Sequence, residues 1–268
     1  MRLSLALAFL FFIGSCFGWV LELLYRNLTH RHKKWINPGF CTGPYLPIYG
    51  FGLCTLFLLA SLEDLHLIAD PVWNRVALFL AMAVAMTLIE YIAGLACLKY
   101  LKVRLWDYSN LWGNIQGIIC PLFSFFWAAL GAAYYFLIHP YILNALVWLS
   151  NNLAFSFVVG MFYGVFFVDL AYSLQLVAKV RAFAKEHEVL IRYEMLRQQI
   201  RDNAEERKEK IHWFFSLKSA VSLREHLSRY LELERALNPA GNLNRARKEV
   251  REQVRKEMEK LKNGQDEK

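Results

Sequence analysis

Charge is what the first two-thirds of this chain lacks. Of 31 Lys/Arg and 23 Asp/Glu in 268 residues, positions 1–178 hold nine and seven, and positions 179–268 hold the other 22 and 16. Also absent is a GxxxxGK[ST] loop, so ATP hydrolysis by a P-loop is excluded for this chain. There is no GxSxG and no HExxH, which removes two common hydrolase signatures. Cysteine is sparse: Cys16, Cys41, Cys54, Cys97 and Cys120 lie far apart without CxxC or CxH spacing. No structural zinc site or disulfide framework follows from that pattern.

What fills the uncharged region is long apolar runs. Segments of bilayer length fall at about 3–25, 45–62, 76–98, 118–138 and 153–178. The second is short, with Pro44 and Pro47 near its start, where proline is best tolerated. The stretch 141–149 is apolar but too short to span, and is expected to be an interfacial helix with Tyr141 and Trp148 at headgroup level. Ile13-Gly14-Ser15-Cys16 faintly resembles a lipoprotein cleavage box. The apolar run continues to Leu24, however, and only Arg2 supplies a basic start, so a retained first span is expected.

Loop charge gives the orientation. The 26–42 loop carries Arg26, Arg31, Lys33 and Lys34, and the 99–116 loop carries Lys99, Lys102 and Arg104. The 63–75 loop has Arg75 against Glu63, Asp64 and Asp70, and the 139–152 loop has no Lys or Arg. The positive-inside rule then predicts an N-terminus outside, five helices and a cytoplasmic C-terminus. The fold expected is all-α: a polytopic membrane bundle of five helices over 1–178 and a charged cytoplasmic helical tail over 179–268. The net charge of +8 sits mostly in that tail. Beside a membrane domain it reads as topology and attraction to anionic lipid, with no nucleic-acid partner. In the tail, Val189, Tyr193, Leu196, Ile200, Ala204, Ile211 and Phe214 follow 3- and 4-residue steps, interrupted by Arg207. A second set, Leu223, Leu227, Tyr230 and Leu231, precedes a break at Asn238-Pro239-Ala240-Gly241. A helical hairpin or a dimeric coiled coil would bury either stripe.

Three acids interrupt the apolar runs: Glu22, Glu90 and Asp169. A central carboxylate costs about 2.5–3.5 kcal/mol on insertion scales, so it is seldom idle in a membrane. With the topology above, all three fall in the cytoplasmic half. At about 1.5 Å per residue, Glu90 and Asp169 lie level, roughly 12–14 Å from the inner boundary, and Glu22 lies closer to it. Arg26 is the helical neighbour of Glu22 at i,i+4. The acids are either protonated or hydrogen-bonded within the bundle, or form a site for a cation, a proton or a polar substrate group. A shared, partly hydrated cavity for Glu90 and Asp169 is the expectation.

Two loops on the same side add polar atoms. Asn37-Pro38-Gly39-Phe40-Cys41-Thr42-Gly43-Pro44-Tyr45-Leu46-Pro47-Ile48-Tyr49-Gly50 has three prolines and three glycines. Such irregular backbone at a membrane boundary must be buried in protein or line a wet cavity. An irregular or re-entrant segment over Gly43–Gly52 is expected, packed against the second loop. That loop holds Trp106-Asp107-Tyr108-Ser109-Asn110, then Asn114, Gly117 and Cys120. The candidate binding residues are Glu22, Asn37, Glu90, Asp107, Asn114 and Asp169, with Gly43, Pro44, Pro47, Gly50, Trp106 and Tyr108 as loop-shaping residues. His30 and His32 lie in a basic run and read as loop charge rather than metal ligands. No metal is assigned and no cofactor is expected.

Gly18-Trp19-Val20-Leu21-Glu22, Asn37-Pro38-Gly39-Phe40, Gly43-Pro44-Tyr45-Leu46-Pro47-Ile48-Tyr49-Gly50-Phe51-Gly52, Glu90-Tyr91, Trp106-Asp107-Tyr108-Ser109, Asn114 with Gly117 and Cys120, His139-Pro140 and Asp169 recur in an order that resembles the ABC-transporter type IV permease family of bacterial membrane proteins. The resemblance covers roughly 8–178, and its motif positions are the acids and boundary loops singled out above. It departs at Pro38, where the family more usually has Arg, so a positive partner for the acids is missing there. The resemblance implies a bacterial inner-membrane protein with a transport role. Three functions follow. One is a permease-like subunit for a small polar or amphipathic solute, working as a homo-oligomer or with a separate ATPase chain. Another is a membrane enzyme acting on a lipid or isoprenoid group through Glu22, Glu90, Asp107 and Asp169. The third is an anchor whose tail recruits a partner.

Overall fold

The structure, a computed structural model, describes residues 3–29, 37–65, 68–187, 189–206 and 222–237. Its described residues form an all-α bundle, α1 (Leu3–Thr29), α2 (Pro47–Ala60), α3 (Pro71–Ala96), α4 (Pro121–Ala133), α5 (His139–Asn151), α6 (Ser156–Glu186) and α7 (Tyr193–Glu206), and, in a separate unit, α8 (Leu223–Leu237). One two-residue pair joins β1 (Val103–Arg104) to β2 (Ile191–Arg192) in parallel, Val103 opposite Ile191. Among the described residues, four helical stretches, Leu3–Leu28, Pro71–Leu101, Pro121–Asn151 and Leu153–Glu186, are long and apolar enough to cross a membrane. α2, at 14 residues, is shorter. At 1.5 Å per residue it reaches about 21 Å, less than the roughly 30 Å hydrocarbon core.

Prolines set several starts. Pro47, Pro71 and Pro121 each sit in the first turn of a helix, where a missing N–H costs nothing. Asp70 caps α3 by accepting from the amides of Val72 (2.8 Å) and Trp73 (3.1 Å). This moves the third helix start from the expected 76 back to Pro71. Pro140 gives the clearest departure from expectation. The 141–149 stretch is not a separate interfacial helix but continues the fourth apolar helix to Asn151. A π-helical turn over Tyr134–Ile138 precedes it and absorbs the bond that proline cannot make.

α1 and α2 run antiparallel in close contact. Leu46 N donates to Ser15 O at one end of the pair, and Cys54 Sγ to Leu7 O at the other. The core beside them holds Leu10, Leu56, Met82, Tyr134 and Leu149. At the end where α2 finishes, Glu63 accepts from Arg75 (3.0 Å) and Tyr135 (2.5 Å). α6 passes residue 178 without a break. Beyond it Val189, Tyr193, Leu196 and Ile200 of the stripe read from the sequence are buried, and so is Ile191 of β2. A second unit begins at Ser219, and of it residues 222–237 are described. Its α8 buries Leu227, Tyr230 and Leu231 at helical spacing. His30, Arg31, His32, Lys33 and Lys34, along with Arg207, Ile211, Phe214 and Asn238–Gly241, lie outside the described residues.

Candidate functional site

Two of the three acids come together. On α1, Glu22 pairs with Arg26 one turn on (2.8 Å), and its other oxygen accepts from the Tyr49 hydroxyl (3.1 Å). Tyr49 gets that close because residue 18 is glycine. A Cβ there would stand 2.2 Å from the Tyr49 Cβ. Glu90 on α3 is 3% exposed and accepts from Tyr108 Oη (3.0 Å) and Trp127 Nε1 (2.9 Å). The Trp127 ring lies 5.3 Å from the Tyr49 ring, which bridges the two carboxylates, and Glu22 and Glu90 are within electrostatic reach of each other. Tyr108 stacks on Phe123 at 4.2 Å. The result is an aromatic-walled cluster of two carboxylates with one guanidinium at its edge. Glu90's own hydrogen bonds come from neutral groups.

Tyr108 reaches Glu90 because the 102–120 loop folds against α3. Gly94, one turn past Glu90, lies against this loop. A Cβ there would be 2.3 Å from Ile118 and 3.2 Å from the Trp106 ring. Trp106 Nε1 donates to Ile118 O (2.8 Å). Asn114 closes the turn, donating to Ser109 O and Leu111 O and accepting from Gly117 N. Gly117 has φ +67, and a Cβ would meet Arg104 Nη1 at 2.3 Å. Asp107 bonds Arg104 (2.6 Å), Arg192 of β2 (3.2 Å) and Ser109. Partial burial works to raise its carboxyl, but the Ser109 hydrogen bonds and the Arg104 guanidinium outweigh it and hold the group below the usual carboxylate range. Asp107 and Asn114 therefore shape the loop that presents Tyr108.

Asp169 sits in a different setting. Four groups of the 37–46 loop converge on its carboxylate: Thr42 N (3.1 Å), Gly43 N (2.8 Å) and the hydroxyls of Thr42 and Tyr45. Ser173, one turn along α6, adds a longer bond at 3.3 Å. Two backbone amides and two hydroxyls replace the water that a carboxylate loses on burial. The loop is in turn built around buried Asn37. Its Oδ1 accepts from Trp19 Nε1 (2.9 Å) and Gly39 N (3.1 Å), and its Nδ2 donates to the carbonyls of Cys41 and Thr42. The Tyr45 ring rests on Phe162 and Phe166. A side chain at residue 43 would strike the Tyr45 ring at 2.3 Å.

The irregular stretch is shorter than expected. It ends at Leu46, and Gly50 and Gly52 lie inside α2. There Gly50 admits Ser15 and the Phe11 carbonyl of α1, and Gly52 admits Met86 of α3. The loop's observed partners are α1, α6 and α7. Sequence reasoning missed Thr42, Tyr45, Tyr49 and Trp127 as partners of the acids and Trp19 as the partner of Asn37, although all but Trp127 lie in the quoted motifs. It also missed Arg192 and Arg197, which nothing distinguished among the tail's many cations. Among the described residues, no group of three or more His, Cys, Asp or Glu is placed to hold a metal ion.

The family described as "Putative ABC-transporter type IV" matches residues 9–174. The chain belongs to it. No curated protein and no solved structure matches. The stretch shared with the ABC-transporter type IV family contains Glu22, Glu90, Asp169 and both loops. Arg192 and Arg197 lie beyond it.

Proposed function

We propose that the chain is the permease-like membrane subunit of a transport system, moving or presenting a small polar or amphipathic solute, with the Glu22–Glu90 cluster as its cation- or proton-handling site. The observation carrying this reading is Glu90: a carboxylate deep in an apolar helix, bonded to the neutral donors Tyr108 and Trp127, with the Glu22 carboxylate, itself paired with Arg26, in its neighbourhood. An intramembrane acid that lacks its own cation is where a proton or cationic group is best accommodated. The family membership supports transport, and energy from ATP would come from a separate ATPase chain. Asp107 and Asp169 are taken up by loop donors, which favours transport over acid–base chemistry using all four carboxylates. We take the end carrying Arg26, Lys99, Lys102 and Arg104 as cytoplasmic, in the inner membrane of a bacterium, with the N-terminus outside and five crossings. α2 would complete its crossing with the buried irregular backbone of 37–46. We treat 1–178 as the membrane domain and the rest as its cytoplasmic tail.

The test compares a deletion strain with its parent by profiling metabolites and lipids separately in cells and medium, then assays flux of the compound found in liposomes holding the purified chain, alone and with a candidate ATPase. Redistribution of an unaltered compound across the membrane supports the reading. Chemical conversion of a lipid by the chain alone, lost in Glu90→Gln, overturns it in favour of an enzyme.

A further inference from the structure

Arg197 is a charged residue of the tail that the fold buries, at 5% exposure. It stands on α7, one turn after Tyr193, and its guanidinium lies over the Tyr193 ring at 4.7 Å. Nη1 donates to the main-chain carbonyl of Asn37 at 2.5 Å. α7 is held there by the β1–β2 pair and by buried Val189, Ile191, Leu196 and Ile200. A guanidinium removed from water is costly unless its bonds are replaced, so this contact is not a stray surface one. Asn37 is the residue around which the 37–46 loop is built, and that loop supplies four of the donors to Asp169. A continuous chain of contacts thus runs from α7 through Arg197, Asn37 and Thr42–Tyr45 to the Asp169 carboxylate on α6.

We infer that Arg197 is a positioning residue: by fixing Asn37 from the tail, it holds the 37–46 loop closed over Asp169, so that the seating of α7 sets whether the carboxylate stays capped. The cation that anchors this loop comes from 160 residues away in sequence. When α7 lifts, Asn37 loses its anchor, and the loop that carries Thr42 and Tyr45 is free to swing off α6. Through this contact the tail governs access to Asp169. The inference concerns the seating of this loop, apart from the Glu22–Glu90 cluster, and its test needs no solute.

Cys41, inside the loop and 0% exposed, is a native reporter. The full chain in membrane vesicles, with Cys16, Cys54, Cys97 and Cys120 changed to Ser, is treated with a membrane-permeant maleimide and the Cys41 labelling rate is measured. Arg197→Ala is expected to raise that rate about tenfold or more, the factor that corresponds to losing a charged hydrogen bond. Arg197→Lys, which keeps a donor for the Asn37 carbonyl, should restore much of the protection. A parallel protein retaining only Cys54, between α1 and α2, should label at an unchanged rate. The inference is overturned if Cys41 stays protected in Arg197→Ala, if Cys54 opens along with it, or if the Lys variant behaves like the Ala variant. Should Arg197→Ala not accumulate, Tyr193→Leu removes the ring beneath the guanidinium. Faster Cys41 labelling with Cys54 unmoved then supports the inference, and equal rates overturn it.

Discussion

Three carboxylates in this chain face the same problem, loss of water, and the fold answers it in three ways. Asp107 takes cations, from Arg104 and Arg192. Asp169 takes amides and hydroxyls from one loop. Glu90 takes one phenol and one indole. The first two arrangements read as structural, and removing them should cost stability. Asp107→Asn should lower stability by about 1–2 kcal/mol at neutral pH, as thermal unfolding in detergent would register. Because its folded pKa is depressed, the contribution is present above the ordinary carboxylate range and is lost as pH falls through the lowered value. The variant and parent should therefore differ at neutral pH and converge only in strong acid. An undiminished difference there would mean that charge is not what Asp107 contributes. At Asp169, Asn offers one accepting oxygen where the loop brings two amides and two hydroxyls. Asp169→Asn should therefore expose Cys41 to maleimide even with Arg197 intact.

At the scale of elements, much was legible and the remainder has physical reasons. Apolar length found the long helices, and the glycine and proline density found the irregular 37–46 loop. The extent of that loop was misjudged because glycine density has two causes. Gly43 shapes a loop, whereas Gly50 and Gly52 let neighbouring helices approach, and composition does not separate the two. The 141–149 stretch was misjudged because it was measured on its own, whereas a π-turn lets the fourth helix run on through Pro140. These glycines give a graded prediction. Gly50→Ala sets a Cβ 2.3 Å from Ser15 Oγ and 2.7 Å from the Phe11 carbonyl, and should destabilise by about 1–3 kcal/mol through overpacking. Gly160→Ala, with nothing within 4 Å of the added carbon, should leave thermal stability of the solubilised chain unchanged. Equal effects at both sites would contradict the packing of α1 against α2.

At the largest scale, the groups that surround Glu22, Glu90 and Asp169 come from one end of the helices in residues 1–218: the Glu22 turn, the 37–46 and 102–120 loops, and the β2–α7 segment. That Glu22, Glu90 and Asp169 stand in apolar helices could be read from the sequence alone. Which of them would meet could not, because helix depth fixes height but not the face a side chain takes. Topology is checked by introduced cysteines: positions in 63–75 and 139–152 should label from outside the cell, and labelling of 26–36 from outside would contradict the orientation. Truncation after residue 185 should leave an inserted protein, since the spans satisfy their own backbone. It should also leave Cys41 reactive, since α7 is gone.

The central claim is that Glu90 works rather than merely packs. Its most direct test is Glu90→Gln, which keeps the shape and an accepting oxygen while removing the charge, placed in the chromosomal gene and profiled beside the deletion strain. The account predicts variant protein at the parent's level in the membrane and the deletion strain's redistribution of solute between cells and medium. A Glu90→Gln strain with the parent's profile at that same protein level would contradict it.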